Sequence, residues 1–276
     1  MTFIQALILG IIQGLTEFLP ISSTAHLVIL PFLLKWDLNP AFVMVFNTLI
    51  QLGTLAAVIV YFWHDLITIL KAWFEGIKTK RPFDEPNSKL GWLIILATIP
   101  AGLFGLLLQS KVRQAMSSAV ATAVFLFVTA ILLTAAEIWS RKTRQLDSLK
   151  PLDAGIIGLF QAVSIFPGIS RSGATISGGQ WRGLTRESAA KFSFLMSIPI
   201  MLAAGALEML DLFKTPGLTQ MVPQLLIGFI IAGVVGYFSI RWFLRYLKSK
   251  SLLPFALYCA VLAIVVIFVA SGRTLN

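Results

Sequence analysis

The stretch QGLTEFLPISST at residues 13–24 and the stretch QAVSIFPGISRS at residues 161–172 decide how this chain folds. Each interrupts a long apolar run, 2–34 and 153–180 respectively. The break at 19–23 contains proline and serine, and the break at 167–173 contains proline, glycine and serine. As helices, the flanks of about 12–15 residues reach about 20 Å, whereas a bilayer core is about 30 Å thick. We therefore predict two re-entrant helix–break–helix hairpins, because broken backbone is tolerated at depth where protein or water surrounds it.

The two stretches also resemble each other, at an offset of 148 residues. The aligned identities are Gln13/Gln161, Phe18/Phe166, Ile21/Ile169 and Ser22/Ser170. A second pattern, Ala-Gly-x-x-Gly at 101–105, recurs at 232–236. The preserved order predicts an ancient duplication in which each half holds one hairpin and three full spans. Because three is odd, the second half must enter the membrane upside down, giving an inverted repeat with its functional centre between the halves.

The predicted fold is an all-α polytopic membrane protein with six full transmembrane helices and two re-entrant hairpins. Residues 1–276 form one membrane domain made of two repeat halves, 1–145 and 151–276. The predicted segments are hairpin 2–34 and spans 41–70, 91–109 and 118–139, then hairpin 153–180 and spans 192–213, 224–246 and 253–270.

The composition excludes a soluble protein. Hydrophobic residues make up 57% of the chain, charged residues 12%, and the mean hydropathy is +0.87, whereas soluble domains carry about 25% charged residues. The net charge of +10 would favour nucleic-acid binding in a soluble protein. Here the basic residues lie in short loops between apolar segments, so we expect the lipid bilayer as partner and no nucleic acid.

The positions of the basic residues predict the topology. Of 22 lysines and arginines, 16 fall on one side of the membrane: Lys71, Lys78, Lys80, Arg81, Lys89, Arg141, Lys142, Arg144, Lys150, Arg182, Arg186, Lys191, Arg241, Arg245, Lys248 and Lys250. The other side holds Lys35, Lys111, Arg113, Lys214 and Arg273. By the positive-inside rule the richer side is cytoplasmic. Both termini then face outward, and the first hairpin opens to the outer side.

Ionisable residues lie at the two predicted breaks. Arg171 lies at the tip of the second hairpin, and Glu17 and His26 lie around the tip of the first. Such groups are costly within a membrane, so they indicate a function and require a partner. In the alternative interpretation, Glu17 and Arg171 only neutralise each other in packing. The hydroxyl and amide residues crowded around the same breaks favour a functional site.

Spacing predicts how these groups are arranged. Gln13 and Glu17 share one helix face, and so do Ser23 and His26. A helix that begins at each break directs N–H groups and its positive dipole end to the centre, which suits phosphate. Arg171 adds a planar fork that can hold two phosphate oxygens. The predicted phosphate-binding residues are Ser22, Thr24, Ser170, Arg171, Ser172 and Thr175.

With these residues in view, the chain resembles the undecaprenyl-diphosphate phosphatase family of the bacitracin-resistance type over essentially its whole length. The resemblance lies in Gln-x-x-x-Glu-Phe-Leu-Pro-x-Ser-Ser-Thr-x-His at 13–26 and Pro-Gly-x-Ser-Arg-Ser-Gly-Ala-Thr at 167–175. It implies hydrolysis of undecaprenyl diphosphate to undecaprenyl phosphate and inorganic phosphate in the bacterial cytoplasmic (inner) membrane. That reaction recycles the lipid carrier for peptidoglycan synthesis and confers bacitracin resistance. The resemblance also implies a divalent metal.

The expected catalytic residues are Glu17, Ser23, His26 and Arg171. Ser23 is the preferred nucleophile, with His26 or Glu17 as its base, and His26 as the nucleophile is the alternative. We expect Mg²⁺ or Ca²⁺ to be held partly by Glu17 and by substrate oxygens. Gln13 occupies the first position of the family's E/Q-x-x-x-E pattern, where glutamate also occurs, and so leaves one carboxylate fewer.

A transporter is the alternative function. An inverted repeat with broken helices that meet at mid-membrane is also a transporter design, and the same site could bind a phosphorylated polyprenyl lipid for flipping. A serine and a histidine one helical turn apart favour the enzyme, since binding alone needs neither. The sequence leaves the oligomeric state open, a homodimer included.

Overall fold

The computed structural model of the protein describes residues 1–116, 118–212 and 221–274. These residues form α1 (Phe3–Thr16), α2 (Ser23–Leu34), α3 (Pro40–Tyr61), α4 (Trp63–Lys78), α5 (Pro86–Leu107), α6 (Gln109–Met116), α7 (Ala119–Trp139), α8 (Pro151–Val163), α9 (Arg171–Trp181), α10 (Arg186–Leu212), α11 (Val222–Leu247) and α12 (Leu253–Thr274). Six of them, α3, α5, α7, α10, α11 and α12, are long and apolar enough to cross a membrane. The predicted all-α class and the six spans are confirmed.

The boundaries of three predicted spans differ from the structure. The run 41–70 is divided at Phe62, where the backbone leaves the helical region, into α3 and the separate helix α4. The reason is chemical: α4 carries Asp65, Lys71, Glu75 and Lys78 and is too polar to continue the span. The spans predicted at 91–109 and 192–213 both begin earlier in the structure, with α5 at Pro86 and α10 at Arg186.

Three basic residues of the charge count lie wholly or in part outside the described residues. Residue 213, at the end of the predicted span, and Lys214 lie outside the described residues. The side chains of Arg113 and Arg273 also lie outside the described part of the chain. The membrane topology that the charge count indicates stays a prediction.

Two helix–break–helix pairs occupy the positions of the predicted hairpins. Residues 17–22 separate α1 from α2, and residues 164–170 separate α8 from α9. The second break requires Gly168, whose φ is +108°; a Cβ there would lie 2.2 Å from the carbonyl oxygen of Thr122. None of these four helices is among the six candidate spans of the described chain. Their re-entrant insertion into a membrane stays a prediction.

The two predicted halves make equivalent contacts with each other. Helix α1 packs on α11, and α8 packs on α5. A Cβ on Gly10 would lie 3.0 Å from the carbonyl oxygen of Gly228, and a Cβ on Gly158 would lie 2.6 Å from that of Ala97. Gly10 and Gly158 are 148 residues apart, as the two hairpin stretches are. Ala97 and Gly228 are separated by the same number of residues as the two copies of the Ala-Gly-x-x-Gly pattern. These contacts support the predicted duplication, and the inverted orientation of the halves stays a prediction.

Ion pairs join the helices at one end of the bundle. Asp153 at the start of α8 accepts hydrogen bonds from Arg144 and Arg182, each at 2.7 Å. Burial raises the pKa of the Asp153 carboxyl, but the hydrogen bonds from both arginines outweigh burial and hold that pKa below its ordinary value. Glu137 at the end of α7 pairs with Arg186 at the start of α10. The contacts of Asp153 hold together the start of α8 and the end of α9, which are the ends of these helices that lie away from the second break.

Candidate active site

The two breaks contact each other in the interior of the bundle. Arg171, the first residue of α9, places Nη2 2.5 Å from Oε1 of Glu17. The hydroxyl of Ser172 donates to the carbonyl oxygen of Leu19 at 3.0 Å. Phe18 is buried in the first break, where its ring packs edge-on against Phe194 at 5.4 Å between centroids. A side-chain pair and a backbone contact therefore both join segments that lie about 150 residues apart in the chain.

Glu17 lies at the centre of the site. Its Oε2 accepts hydrogen bonds from the Ser23 hydroxyl at 2.5 Å and from the Gln13 amide at 2.9 Å, while Oε1 faces Arg171. All of these except Arg171, which is partly exposed, are buried. A carboxylate that accepts from a serine hydroxyl is placed to remove its proton. Of the two bases considered for Ser23, Glu17 is the one that contacts it.

His26 has other partners. Its Nδ1 lies 2.7 Å from the carbonyl oxygen of Ser22, and its Nε2 lies 2.7 Å from the hydroxyl of Tyr258. Ser23 and His26 both lie on α2, three residues apart, as the sequence spacing predicts. Both ring nitrogens of His26 are engaged elsewhere, however, and the hydroxyl of Ser23 is directed to Glu17.

The hydroxyls of the first break lie at the start of α2. Ser22 caps this helix by accepting from the amide of Ala25 at 3.3 Å, and its φ is 66°. The same hydroxyl lies 3.2 Å from that of Thr24, whose residue is exposed. The N-terminus of α2 is therefore capped by one candidate phosphate ligand and bordered by another.

The hydroxyls of the second break lie on α9. Ser170 caps this helix by accepting from the amide of Gly173 at 3.0 Å, and its hydroxyl lies 3.1 Å from that of Ser172. Thr175 lies one turn further along. Its hydroxyl donates to the carbonyl of Arg171 at 2.7 Å and lies 2.6 Å from the hydroxyl of Ser193 on α10. The Thr175 hydroxyl is therefore engaged by α9 and α10, whereas the Ser172 hydroxyl is engaged by the first break through Leu19.

Sequence reasoning missed three residues that hold the site. Thr129 on α7 accepts from the amide of Ser170 at 2.9 Å and donates to the carbonyl of Gly168 at 3.0 Å, so it fixes the second break. Thr54 on α3 lies 3.4 Å from the Gln13 amide nitrogen. The third is Tyr258. The two threonines could have been found from the sequence, because each is a polar residue inside an apolar span. Tyr258 could not, because a tyrosine in such a span is typical of a membrane-facing aromatic residue.

The residues suited to a divalent cation are Gln13 and Glu17. The Gln13 Oε1 atom is buried and has no hydrogen-bond partner within the described part of the chain. Amide and carboxylate oxygens suit Mg²⁺ and Ca²⁺. The described residues contain no cluster of three or more histidine, cysteine, aspartate or glutamate side chains. Gln13 and Glu17 therefore fit a cation that takes its remaining ligands from substrate and water.

Comparison with known proteins gives one consistent result. The family model described as "Bacitracin resistance protein BacA" matches residues 6–265. An undecaprenyl-diphosphatase of Mycolicibacterium smegmatis is 42% identical over 269 residues, which cover 97% of this chain and 96% of that protein. An undecaprenyl-diphosphatase of Chlorobium phaeobacteroides is 41% identical over 284 residues, 99% of both chains. One of Chloroherpeton thalassium is 41% identical, over 96% of this chain and 95% of that protein.

Proposed function

The chain belongs to the bacitracin resistance protein BacA family, and we propose that it hydrolyses undecaprenyl diphosphate to undecaprenyl phosphate and inorganic phosphate. This reaction recycles the lipid carrier for peptidoglycan synthesis and confers bacitracin resistance. For this site, the proposal rests on one observation: the Glu17 carboxylate contacts both the Ser23 hydroxyl and the Arg171 guanidinium. Together these groups supply a base, a nucleophile and a phosphate-binding cation.

The reaction begins with transfer of a proton from Ser23 to Glu17. The Ser23 oxygen bonds to the terminal phosphorus, and the bond from that phosphorus to the bridging oxygen breaks. The bridging oxygen keeps the electron pair and leaves as part of undecaprenyl phosphate. Water then attacks the phosphorus of the phosphoserine, and the bond from that phosphorus to the Ser23 oxygen breaks. Glu17 returns its proton to the Ser23 oxygen, and inorganic phosphate leaves with the oxygen and protons of the water. The 2.5 Å hydrogen bond from Ser23 to Glu17 supports Ser23 as the nucleophile in preference to His26, whose nitrogens bind Ser22 and Tyr258.

Arg171 and the ends of two helices bind the charge that develops on the phosphate. A guanidinium carries five N–H donors in a planar fork, so it can bind phosphate oxygens while it contacts Glu17. Helices α2 and α9 begin at Ser23 and Arg171, and their N-terminal N–H groups favour an anion. Ser22, Thr24, Ser170 and Ser172 add hydroxyls at those two ends.

We further propose that Glu17 and Gln13 hold a divalent cation, Mg²⁺ or Ca²⁺. Such an ion, when bound, offsets negative charge on the diphosphate oxygens. The buried amide oxygen of Gln13, which has no hydrogen-bond partner among the described residues, supports this assignment. A chelator should abolish phosphate release, and added Mg²⁺ or Ca²⁺ should restore it. Full turnover in the presence of chelator would remove the metal from the proposal.

The proposed location is the cytoplasmic (inner) membrane, with both termini on its outer side and the site open to that side. The excess of basic residues at one side of the predicted segments supports this orientation. Cysteines introduced singly into the loop 79–85 between α4 and α5 of a Cys259→Ser protein should be labelled by an impermeant reagent only after the membrane is opened. Labelling in intact cells would reverse the topology.

Phosphate release from undecaprenyl diphosphate in detergent tests the function. Wild-type protein should turn over, and Ser23→Ala should lose activity by about 10³-fold or more, since it lacks the nucleophile. Ser239→Ala is the matched control, because Ser239 is also a buried serine but donates to the carbonyl of Val235 on α11. Retained turnover in Ser23→Ala would exclude serine as the nucleophile and leave His26.

A further inference from the structure

We infer that Tyr258 is a positioning residue of this site: its hydroxyl fixes His26, and His26 holds the backbone from which Ser23 projects. The inference rests on the function proposed above, because it concerns the placement of the proposed nucleophile. Tyr258 lies on α12, 232 residues from His26 in the chain and outside both stretches that carry the family resemblance.

The contact between Tyr258 and His26 is short, and the two rings are parallel. The hydroxyl oxygen is 2.7 Å from Nε2, and the two ring planes differ by 2°. The two parallel planes can therefore be offset by at most 2.7 Å, which is less than the distance of about 3.5 Å between rings stacked face to face. The contact is a hydrogen bond between the hydroxyl and Nε2, at a distance typical of a strong one.

The two contacts of His26 determine which nitrogen carries the proton. The carbonyl oxygen of Ser22 can only accept, so Nδ1 at 2.7 Å must donate to it. In the neutral ring Nε2 is then an acceptor, and the hydroxyl of Tyr258 is the donor that it faces. A hydrogen bond at one imidazole nitrogen sets the tautomer at the other. Tyr258 thus stabilises the tautomer that lets His26 hold Ser22.

The carbonyl of Ser22 belongs to the peptide plane that joins Ser22 to Ser23. Ser22 has a φ of 66°, in the left-handed region that serine seldom adopts, so its conformation needs external support. His26 supplies that support from one turn along the same helix. Because the Ser22–Ser23 plane sets the start of the Ser23 side chain, Tyr258 acts on the 2.5 Å contact between Ser23 and Glu17 without touching either residue.

The test combines turnover with ¹⁵N NMR of labelled histidine. The chain has two histidines, so a His64→Gln background leaves only His26 visible. That protein should show Nδ1 protonated and Nε2 accepting a hydrogen bond. In Tyr258→Phe the Nε2 signal should move to the position of a nitrogen without a donor. Its kcat should fall about tenfold, the effect of one ordinary hydrogen bond, with KM changed less than about twofold.

Tyr237→Phe is the matched control, because it removes a tyrosine hydroxyl from α11, where the ring packs on Tyr61. It should leave both the Nε2 signal and kcat unchanged. An unshifted Nε2 signal in Tyr258→Phe, or a proton on Nε2 in the background protein, would overturn the inference. So would a shifted signal with unchanged kcat. If the expected NMR signals are observed but wild-type protein releases no phosphate, the proposed function fails while the contact itself stands.

Discussion

Replacing Glu17 with glutamine removes the charge at the centre of the site and keeps its shape. In the structure this carboxylate accepts from Ser23 at 2.5 Å and from Gln13 at 2.9 Å and faces Arg171 at 2.5 Å. Glutamine can accept at one oxygen only, and its amide nitrogen is not a base. A positioned base contributes about 10²–10⁴-fold to a rate. We therefore expect kcat for undecaprenyl diphosphate to fall by that factor, about 3–5 kcal/mol of activation free energy.

The same substitution should also destabilise the fold. The Glu17 side chain is 7% exposed and that of Arg171 is 19% exposed, so the guanidinium would lose its counter-charge in a largely buried place. Breaking a buried pair by removing one partner costs about 3–5 kcal/mol. The lower end applies here, because one amide oxygen can still accept from Arg171. Thermal unfolding in detergent should show this loss.

A double variant separates the two effects. In Glu17→Gln/Arg171→Met both charges are gone, so most of the lost stability should return, whereas phosphate release should stay at the level of Glu17→Gln or below. Turnover by Glu17→Gln within about threefold of wild type would refute the assignment of Glu17 as the base. A double variant as unstable as the single one would refute the pairing of the two charges.

Two further predictions concern the scaffold. Gly168→Ala should lower the free energy of unfolding by about 3 kcal/mol or more in a thermal unfolding assay, because a Cβ at a φ of +108° would lie 2.2 Å from the carbonyl oxygen of Thr122. Gly155→Ala is the control. Its Cβ would meet nothing within 4 Å, so it should be neutral or stabilising in the same assay. Asp153→Asn should lose about 2 kcal/mol at neutral pH, since two arginines bind the carboxylate. Because the pKa of Asp153 is below its ordinary 3.8 in the folded protein, wild-type stability should fall relative to this variant as pH drops below that value. Parallel pH curves for the two proteins would contradict the pairing.

Much of the architecture follows from local features of the chain. Apolar length predicts the six spans, because burying about 20 apolar residues is what a bilayer requires. The proline and serine breaks predict the two interrupted helices, and the cost of a charge at depth predicts that Arg171 needs a partner such as Glu17. The end of α3 at Phe62 was missed, because an apolar run continues across it until the charges of α4 accumulate.

Tertiary contacts account for what local reasoning could not supply. Helical spacing puts Ser23 and His26 on neighbouring turns, but the direction of each side chain depends on a partner elsewhere, Glu17 for Ser23 and Tyr258 for His26. Thr129 supports the second break from another helix. No periodicity marks such residues. Their role depends on which face of which span packs against the break.

The contact between the two breaks brings the residues of the proposed site together, and site-directed cross-linking measures that contact directly. In a Cys259→Ser background, Leu19→Cys and Ser172→Cys put thiols on two residues that are joined by a hydrogen bond of 3.0 Å from the Ser172 hydroxyl to the Leu19 backbone carbonyl. We predict that a short bifunctional thiol reagent joins them in native membranes, and that mass spectrometry recovers the linked peptides. Residue 172 paired with a cysteine at the exposed Phe3 of α1 should not react. Failure of the 19–172 pair to cross-link in a protein that releases phosphate would contradict this arrangement of the site.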